Sequence, residues 1–199
     1  NVDEHLATLN QLQPTILSAP ASVLLLLARE KHRLKINPKK IVSIAEVLEK
    51  SDEGVISHAF NLPIAQIYQC TEGFLAVSDK KSNILSLNEE FLIIEREWID
   101  ENRFVPIITD LLRTTQPIIR YRLDDVLVAR KSASVFTELN AIEGRLGDTL
   151  YGMNGLSRVP IFADSIRHIM ASSPVDYEDY QICQVALDQF TIQVTPSPT

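Results

Sequence analysis

Apolar positions in the first 70 residues follow two different spacings, which predict two kinds of element. Leu6, Leu9 and Leu12 recur at helical spacing before Pro14, whereas 41–44 is a short, mostly apolar run typical of a buried strand. We therefore predict helices over 3–12, 21–32 and 46–60, the last with a restart cap at 51–53, and strands over 15–18, 41–44 and 64–69. This alternation predicts a sheet with helices packed on it.

Beyond residue 70 the apolar runs become shorter and closer together, which indicates a β-rich region. The predicted strands are 74–77, 84–87, 91–97, 104–109, 118–121, 126–130 and 135–142. The polar run DKKSN at 79–83 is typical of a hairpin turn. Near the carboxyl end we predict a helix over 163–170 and a hairpin formed by 181–187 and 190–194, turning at 188–189.

Together these elements predict an α/β (α+β) chain. A helix-flanked sheet comes first, a β-rich subdomain follows, and a small α+β domain ends the chain. The change of character after Gly144 places a domain boundary near 143–148. We therefore predict that 1–143 is the carboxyl-terminal part of a large domain, and that 144–199 holds a hinge and part of a small domain.

Composition narrows the function classes without choosing among them. The 199 residues are 45% hydrophobic and 23% charged, as in ordinary soluble globular chains. The net charge is −7 and no long basic run is present, so no nucleic-acid partner is expected. Cys70 and Cys183 lack metal-ligand spacing, which predicts two free, buried thiols. The most apolar segment, 23–28, is too short to span a bilayer, and no signal peptide is evident, so we expect a cytoplasmic protein without a membrane partner.

Four groups suited to nucleotide binding lie close together in the stretch IYQCTEGFLA, between two apolar runs. Tyr68 offers a ring to a flat base, Thr71 a hydroxyl to a phosphate oxygen, and Glu72 a carboxylate to Mg²⁺. Gly73 would let the backbone turn sharply. The alternative interpretation is a plain hairpin turn with an edge tyrosine and a solvated glutamate.

Two later segments also carry charge beside a predicted turn. IIRYRLDDV, at 118–126, ends in two adjacent aspartates, and an aspartate at such a position can accept two hydrogen bonds from a ribose diol. IEGRLGD, at 142–148, places Arg145 between two glycines, where it can reach a phosphate or ribose while the backbone hinges. An ion-paired surface turn and a flexible linker are the respective alternatives.

In order and spacing, these segments resemble the motifs of the adenylate-forming superfamily of acyl-CoA synthetases. YQCTEG is similar to its aromatic-x-x-Thr-Glu motif, ITD followed by IIRYRLDD to its Tyr-Arg-Thr-Gly-Asp motif, and IEGRLGD to its Gly-Arg-x-Asp-Asp hinge motif. SIAE, at 43–46, falls where one branch has a Gly-Ala-Glu segment. That branch, the phenylacetate-CoA ligases and coenzyme F-three-ninety synthetase-like proteins, gives the nearest resemblance, and it is the carboxyl-terminal half that is matched.

The resemblance implies a ligase that uses ATP and Mg²⁺ to convert a carboxylic acid into an acyl-adenylate, releasing pyrophosphate. The acyl group then passes to a second nucleophile, usually coenzyme A. The implied roles are adenine stacking for Tyr68, α-phosphate binding for Thr71, Mg²⁺ ligation for Glu72, ribose binding for Asp125, ribose or phosphate contact for Arg145, and lining of the base pocket for Glu46.

The chain also departs from the superfamily's pattern. Leu123 and Asp124 stand in place of Thr and Gly in one motif, and Gly147 stands in place of the first Asp of the hinge motif. No glycine precedes Gly54, so no glycine-rich phosphate loop is present, and no Arg or Lys follows Arg167 to act as the catalytic lysine. We therefore expect the chain to be inactive alone and to pair with a missing amino-terminal half or with another copy of itself.

Two interpretations from other classes stay open. One is a non-catalytic nucleotide-binding or interaction module derived from the same superfamily, and the other is a structural domain with chance motif matches. The residues present do not determine the acyl substrate. An aryl acid of the phenylacetate kind and a deazaflavin phosphate are both compatible with the resemblance.

Overall fold

The computed structural model describes residues 2–78, 84–175 and 177–196. The chain divides into two compact units. The first unit comprises Asn1–Glu95, Ile107–Tyr121 and Ala129–Asn140, and the second comprises Arg96–Pro106, Arg122–Val128 and Ala141–Thr199. This division is interleaved along the sequence. The predicted boundary near 143–148 stays a prediction about domains.

Within the described residues the chain forms helices and short strands as follows. The α-helices are α1 (Val2–Leu12), α2 (Ala21–Arg29), α3 (Lys50–Phe60) and α4 (Ala163–Ala171). The strands of the first half are β1 (Ile16–Pro20), β2 (Lys40–Ile44), β3 (Ile64–Cys70), β4 (Gly73–Ser78), β5 (Leu85–Leu87), β6 (Leu92–Trp98) and β7 (Arg103–Asp110). Those of the second half are β8 (Tyr121–Arg122), β9 (Asp125–Ala129), β10 (Glu138–Arg145), β11 (Leu150–Asn154), β12 (Ser157–Ile161), β13 (Tyr177–Ala186) and β14 (Gln189–Pro196). Short 3-10 turns occur at Lys31–Arg33 and Leu146–Asp148.

The first unit is built on three parallel strands covered by helices. Strand β1 pairs with β2, and β2 pairs with β3, so that Ala19, Ser43 and Gln66 lie side by side. Helices α2 and α3 contribute Leu24 and Ile56 to the core, both fully buried. Parallel strands need helical crossovers, and this need explains the helix–strand alternation along the chain. The predicted alternation is confirmed.

Beyond β3 the sheet becomes antiparallel. Strand β4 pairs antiparallel with β3 and with β5, and β5 pairs with β10 at Leu85 and Leu139. The strand order is β1-β2-β3-β4-β5-β10-β9-β7-β6, with β8 paired to β7. The predicted change to a β-rich region after residue 70 is confirmed, and so is the mixed α/β class.

The second unit combines strand segments with two hairpins and a helix. Strands β7 and β9 pair antiparallel through Phe104 and Leu127, both fully buried. Strands β11 and β12 form one hairpin, and β13 and β14 form the other. The predicted helix over 163–170 is present as α4. The predicted terminal hairpin is also present, although its two-residue turn lies at 187–188 because Ala186 pairs with Gln189.

The predicted helix over 46–60 is wrong in its first turn. The helix begins only at Lys50, after the non-helical residue Glu49, and Ser51 is therefore not its cap. Ala45, directly before this segment, has a left-handed φ of 65°. The amide of Glu46 instead donates to the carbonyl of Ile44, at 2.7 Å.

Two predicted strands are also misplaced. The segment 118–120 is not a strand, because Arg120 adopts a left-handed φ of 47° and only Tyr121–Arg122 are extended in a ladder. The strand predicted from 135 begins at Glu138, and Val135 is 93% exposed. In both segments, apolar residues such as Ile119 and Val135 lie in exposed loops, so an apolar run did not indicate a buried strand.

One hairpin was not predicted and one predicted turn lies outside the described residues. The hairpin of β11 and β12 turns at Gly155-Leu156, where Gly155 has a φ of 61°. The turn predicted at 79–83 falls outside the described residues. Among the helices that the structure describes, none is both long and apolar enough to cross a membrane.

Candidate functional site

The stretch from Tyr68 to Gly73 is a tight hairpin. Cys70 pairs with Gly73, so the two-residue turn consists of Thr71 and Glu72, at the carboxyl end of β3. A register shift lies between Tyr68, which pairs with Ala76, and the next residue. Tyr68 is half-buried and Thr71 is exposed. The turn therefore presents a hydroxyl and a carboxylate where a strand ends, an arrangement common at ligand sites of α/β sheets.

The Glu72 carboxylate is held in its ionised form by its neighbours. Hydrogen bonds from the Cys70 thiol and the Tyr121 phenol, together with the charge of Arg113, lower the pKa of Glu72 below its ordinary value. The Cys70 contact is the largest of these causes. Because the lowered value lies on the acid side, Glu72 carries a full negative charge at neutral pH. An ionised carboxylate oxygen is the ligand that Mg²⁺ prefers, so this residue fits a magnesium site.

The same contacts act in the opposite direction on the two donors. Burial, followed by the hydrogen bond to Glu72, raises the pKa of Cys70 to about 11. The hydrogen bond to Glu72 also raises the pKa of Tyr121. Both groups thus remain protonated and able to donate at neutral pH. Cys70 and Cys183 are free, as predicted, but Cys70 is half-buried and Cys183 is exposed, so the prediction that both are buried is wrong.

The prediction that Gly73 lets the backbone turn sharply is wrong. Its φ lies outside the left-handed region, so the turn does not require glycine for its conformation. A Cβ at this position would contact Ile108, Leu75 and Leu92 at 3.6–3.7 Å, which is ordinary packing distance. Gly73 is a buried strand residue, and neither its conformation nor its surroundings require a glycine.

Glu46 makes a defined structural contact in the first unit. Its two carboxylate oxygens accept hydrogen bonds from the backbone N–H and the hydroxyl of Ser22, at 2.9 and 3.0 Å. Ser22 lies in the first turn of α2, where amide groups lack partners within the helix. The carboxylate therefore caps this helix and favourably opposes its dipole. Its role in lining a base pocket stays a prediction.

The aspartates and the arginine of the second and third segments are brought together in the second unit. Asp125 begins β9 and is half-buried, while Arg145 ends β10 and is exposed. The carbonyl of Asp124 accepts a hydrogen bond from the amide of Leu146 at 2.6 Å. Neighbours of Asp125 and Arg145 are thus in direct backbone contact. Leu123, which replaces Thr, is 5% exposed and occupies an apolar position.

The strand end that leads to Arg145 is fixed by a half-buried ion pair. The Arg103 guanidinium donates two hydrogen bonds to the Glu143 carboxylate, at 2.7 and 3.0 Å, and a third to Asp100 at 3.0 Å. The guanidinium also lies over the ring of Phe162, 5.1 Å from its centre. The Glu143 contact raises the pKa of Arg103, so the guanidinium stays charged throughout the ordinary pH range.

Gly144 follows this ion pair and is a glycine by necessity. Its φ is 101°, a region that side-chain-bearing residues rarely adopt. A Cβ at this position would also lie 2.9 Å from the Cβ of Ala163, at the start of α4. The strand therefore passes against the helix more closely than any residue with a side chain allows. Hinge motion at this position stays a prediction.

The first unit contains a cleft that was not predicted from the sequence. Its volume is about 450 Å³, and its lining residues combine aromatic, aliphatic and charged side chains: Phe74, Asn88, Phe91, Leu92, Asp110, Leu112 and Arg113. The Asp110 carboxylate accepts the amides of Leu112 and Arg113 at 2.8 and 3.0 Å. An aspartate whose carboxylate accepts the amides two and three residues later forms a typical Asx turn. Asp110 before a loop was therefore the sequence signal for this turn at the edge of the cleft.

The predicted site residues are thus distributed over both units. Tyr68, Thr71, Glu72 and Glu46 belong to the first unit, with the first three on one hairpin. Asp125 and Arg145 belong to the second. Their convergence on one ligand stays a prediction.

Comparison with known proteins adds the fold's identity. No known family profile matches the chain. Among curated proteins, CapK of Staphylococcus aureus is 29% identical over 129 residues, which is 63% of this chain and 29% of CapK. Among solved structures, 2-hydroxyisobutyryl-CoA ligase, crystallised in the postadenylation state with 2-HIB-AMP, superposes with a TM-score of 0.73 at 17% identity. That likeness covers 98% of this chain and 46% of the ligase.

The chain has the fold of the adenylate-forming ligases. The amide bond synthetase McbA of Marinactinospora thermotolerans gives the same result, with a TM-score of 0.69 at 12% identity, covering 98% of this chain and 45% of McbA. The chain thus spans less than half the length of these solved adenylate-forming ligases.

Proposed function

We propose that this chain belongs to an ATP-dependent enzyme that activates a carboxylic acid as its acyl-adenylate and transfers the acyl group to coenzyme A. One observation carries the proposal. Three segments chosen for nucleotide chemistry occur, in the order of the resemblance, on the fold of the adenylate-forming ligases. The solved 2-hydroxyisobutyryl-CoA ligase complexes with 2-HIB-AMP and CoA support the same reaction class.

The Glu72 hairpin supplies the charge that such a reaction needs. Bringing a carboxylate to a phosphate group places two anions together, so the site must neutralise negative charge. When bound, Mg²⁺ would supply that neutralisation, and the ionised Glu72 would hold it. In this proposal the exposed Thr71 hydroxyl donates to the α-phosphate and the half-buried Tyr68 ring faces the adenine.

In the second unit, Asp125 and Arg145 act on the ribose and phosphate. A carboxylate at 125 accepts hydrogen bonds from the two ribose hydroxyls, and the exposed guanidinium at 145 pairs with an anionic or hydroxylic oxygen. For the acyl group we propose an aryl acid of the phenylacetate kind. This choice of substrate follows from the resemblance alone.

Binding of AMP to the chain tests the nucleotide site directly. Calorimetric titration with AMP and Mg²⁺ should give saturable binding to the wild-type chain. Asp125→Ala should weaken AMP affinity about 10- to 100-fold, the effect of losing hydrogen bonds to a charged group. Asp188→Ala, in the exposed turn of the terminal hairpin, is the matched control and should bind as wild type. Equal affinities for all three chains would reject the site.

Activity separates this proposal from a second one, a non-catalytic nucleotide-binding module. The departures of Leu123, Asp124 and Gly147 from the motifs of the resemblance favour the module. Pyrophosphate exchange with a panel of aryl acids should be undetectable for this chain alone. Exchange restored by adding a separately produced amino-terminal half would support the enzyme. Continued inactivity with intact AMP binding would support the module.

A further inference from the structure

A contact between Asp124 and Gly147 joins the two segments that carry Asp125 and Arg145. The backbone N–H of Gly147 donates to Oδ2 of Asp124 at 3.3 Å, and the N–H of Leu146 donates to the Asp124 carbonyl at 2.6 Å. One residue therefore accepts two consecutive amides of the 3-10 turn Leu146–Asp148. Those are amides that a short 3-10 turn leaves without internal partners.

Limited space beside Asp124, and not backbone conformation, favours a small residue at 147. Its φ lies outside the left-handed region, so other residues could adopt its backbone. A Cβ at 147, however, would lie 3.1 Å from Oδ2 of Asp124, closer than most contacts of real Cβ atoms. The space beside the turn is therefore filled by the carboxylate that reaches across from position 124.

Both positions are among the three at which the sequence departs from the two motifs that it resembles, and the third is Leu123. Aspartate stands at 124 where that motif has glycine, and glycine stands at 147 where the hinge motif has aspartate. Both departures meet at this contact, because a Cβ at 147 would lie 3.1 Å from Oδ2 of Asp124. A carboxylate on both sides would crowd and repel, and one on neither side would leave the turn unsupported.

We propose that Asp124 is a positioning residue, whose carboxylate fixes the Leu146–Asp148 turn and thereby places Arg145 beside Asp125. The inference rests on the proposed function for the nucleotide that Arg145 and Asp125 would share. The contact itself is independent of any ligand. Asp124 also lies near Arg122, whose guanidinium it helps to keep charged, so its variants need controls for charge.

Reciprocal substitution tests the contact without nucleotide. Asp124→Gly and Gly147→Asp should each lower Tm. The Tm of Gly147→Asp should be the lower of the two, because the new aspartate crowds and repels Asp124. The double variant should recover, with a Tm above that of Gly147→Asp alone. Coupling of this kind appears only between residues in contact. Strictly additive losses would overturn the proposal.

Hydrogen exchange at the Gly147 amide provides a readout that does not depend on global stability. In Asp124→Gly this amide should exchange about fivefold faster, the effect of losing one hydrogen bond. Asp124→Asn keeps an acceptor oxygen and should restore protection. Asp188→Gly, in an exposed turn, is the control for inserting glycine. Unchanged exchange in Asp124→Gly would overturn the proposal even if the Tm values shift.

AMP affinity then separates this inference from the proposed function. Asp124→Gly should weaken AMP binding, and combining it with Arg145→Ala should cause no further loss, because both changes remove the same contact. Additive losses would show that Asp124 acts elsewhere and would contradict the positioning role. If the wild-type chain binds no AMP, the proposed function fails, while exchange at Gly147 still decides whether Asp124 holds the turn.

Discussion

The Glu72 hairpin of the first unit and the strand end at 142–145 of the second both contain a carboxylate near an arginine, but they use it differently. Glu72 lies in a two-residue turn close to solvent and receives hydrogen bonds from side chains that stay protonated. The Glu143 carboxylate is 12% exposed and accepts hydrogen bonds from Nε and Nη2 of Arg103. The Glu72 carboxylate stays charged in a surface turn, whereas the Glu143 carboxylate is held in an ion pair that fixes the backbone.

Replacing Gly144 by alanine should produce the largest loss of stability. Strain at a φ of 101° costs about 1–3 kcal/mol, and the 2.9 Å approach to Ala163 adds an overpacking cost of about 1–3 kcal/mol. Gly54 in α3 is the matched control, because a Cβ there meets nothing within 4 Å. Gly54→Ala should stabilise by about 0.5–1 kcal/mol. Urea unfolding measures both, and equal effects would mean that the strand end is not tightly docked.

Arg103→Ala should follow, destabilising the chain by about 2–3 kcal/mol, because it leaves a mostly buried carboxylate without its partner. The control is Arg120, which makes an equally bidentate pair with Glu95, at 2.8 and 3.0 Å, but is 68% exposed. Arg120→Ala should change the free energy of unfolding little, since exposed pairs are screened by water. A similar loss in both variants would remove the distinction that burial makes.

Ionisation at the Glu72 hairpin should change without a comparable change in stability. Cys70→Ala should raise the pKa of Glu72 towards its ordinary value, and Tyr121→Phe should raise it less, because the thiol is the larger cause. Carbon-13 NMR of the carboxyl group measures both shifts. A pKa lowered by folding gives stability that is present above the unfolded value and is lost as pH falls through the folded value. Any loss of stability in Cys70→Ala that comes from the Glu72 ionisation should therefore depend on pH only in the acid range where Glu72 titrates.

The smallest expected effect is a difference in alkylation rate between the thiols of Cys70 and Cys183. With a pKa raised to about 11, Cys70 is almost entirely protonated at pH 8 and is also half-buried. Since the thiolate is the reacting form, Cys70 should alkylate slowly, and the exposed Cys183 should be modified first. Peptide mass spectrometry after brief iodoacetamide treatment gives the order. Modification of Cys70 first would place its thiol outside the Glu72 contact.

The sequence predicted the periodic parts of this fold and missed the parts decided by single backbone conformations. Helical spacing located α1, α2 and α4, and the short apolar runs located most strands of the sheet. The strand predicted before Tyr121 failed at Arg120, whose left-handed φ no composition signals, and the helix predicted over 46–60 begins only at Lys50. Gly155 in the run MNGLS was a readable turn signal for the hairpin of β11 and β12, whose turn is Gly155-Leu156.

At the candidate site, residue type was more predictable than environment. The sequence nominated Glu72, Asp125 and Arg145 by their chemistry and position. It did not indicate that a thiol and a phenol would tune Glu72, or that Glu46 would cap a helix through Ser22. The Glu46–Ser22 and Glu72–Tyr121 contacts join residues 24 and 49 positions apart, and only the fold determines them.

The central claim is that Tyr68, Asp125 and Arg145 surround one adenosine. A crystal structure of the chain soaked with AMP and Mg²⁺ tests it most directly. We predict the adenine against the Tyr68 ring, both ribose hydroxyls on the Asp125 carboxylate, and the Arg145 guanidinium on a ribose or phosphate oxygen. Density for AMP on a surface that lacks any of these three side chains would contradict the account.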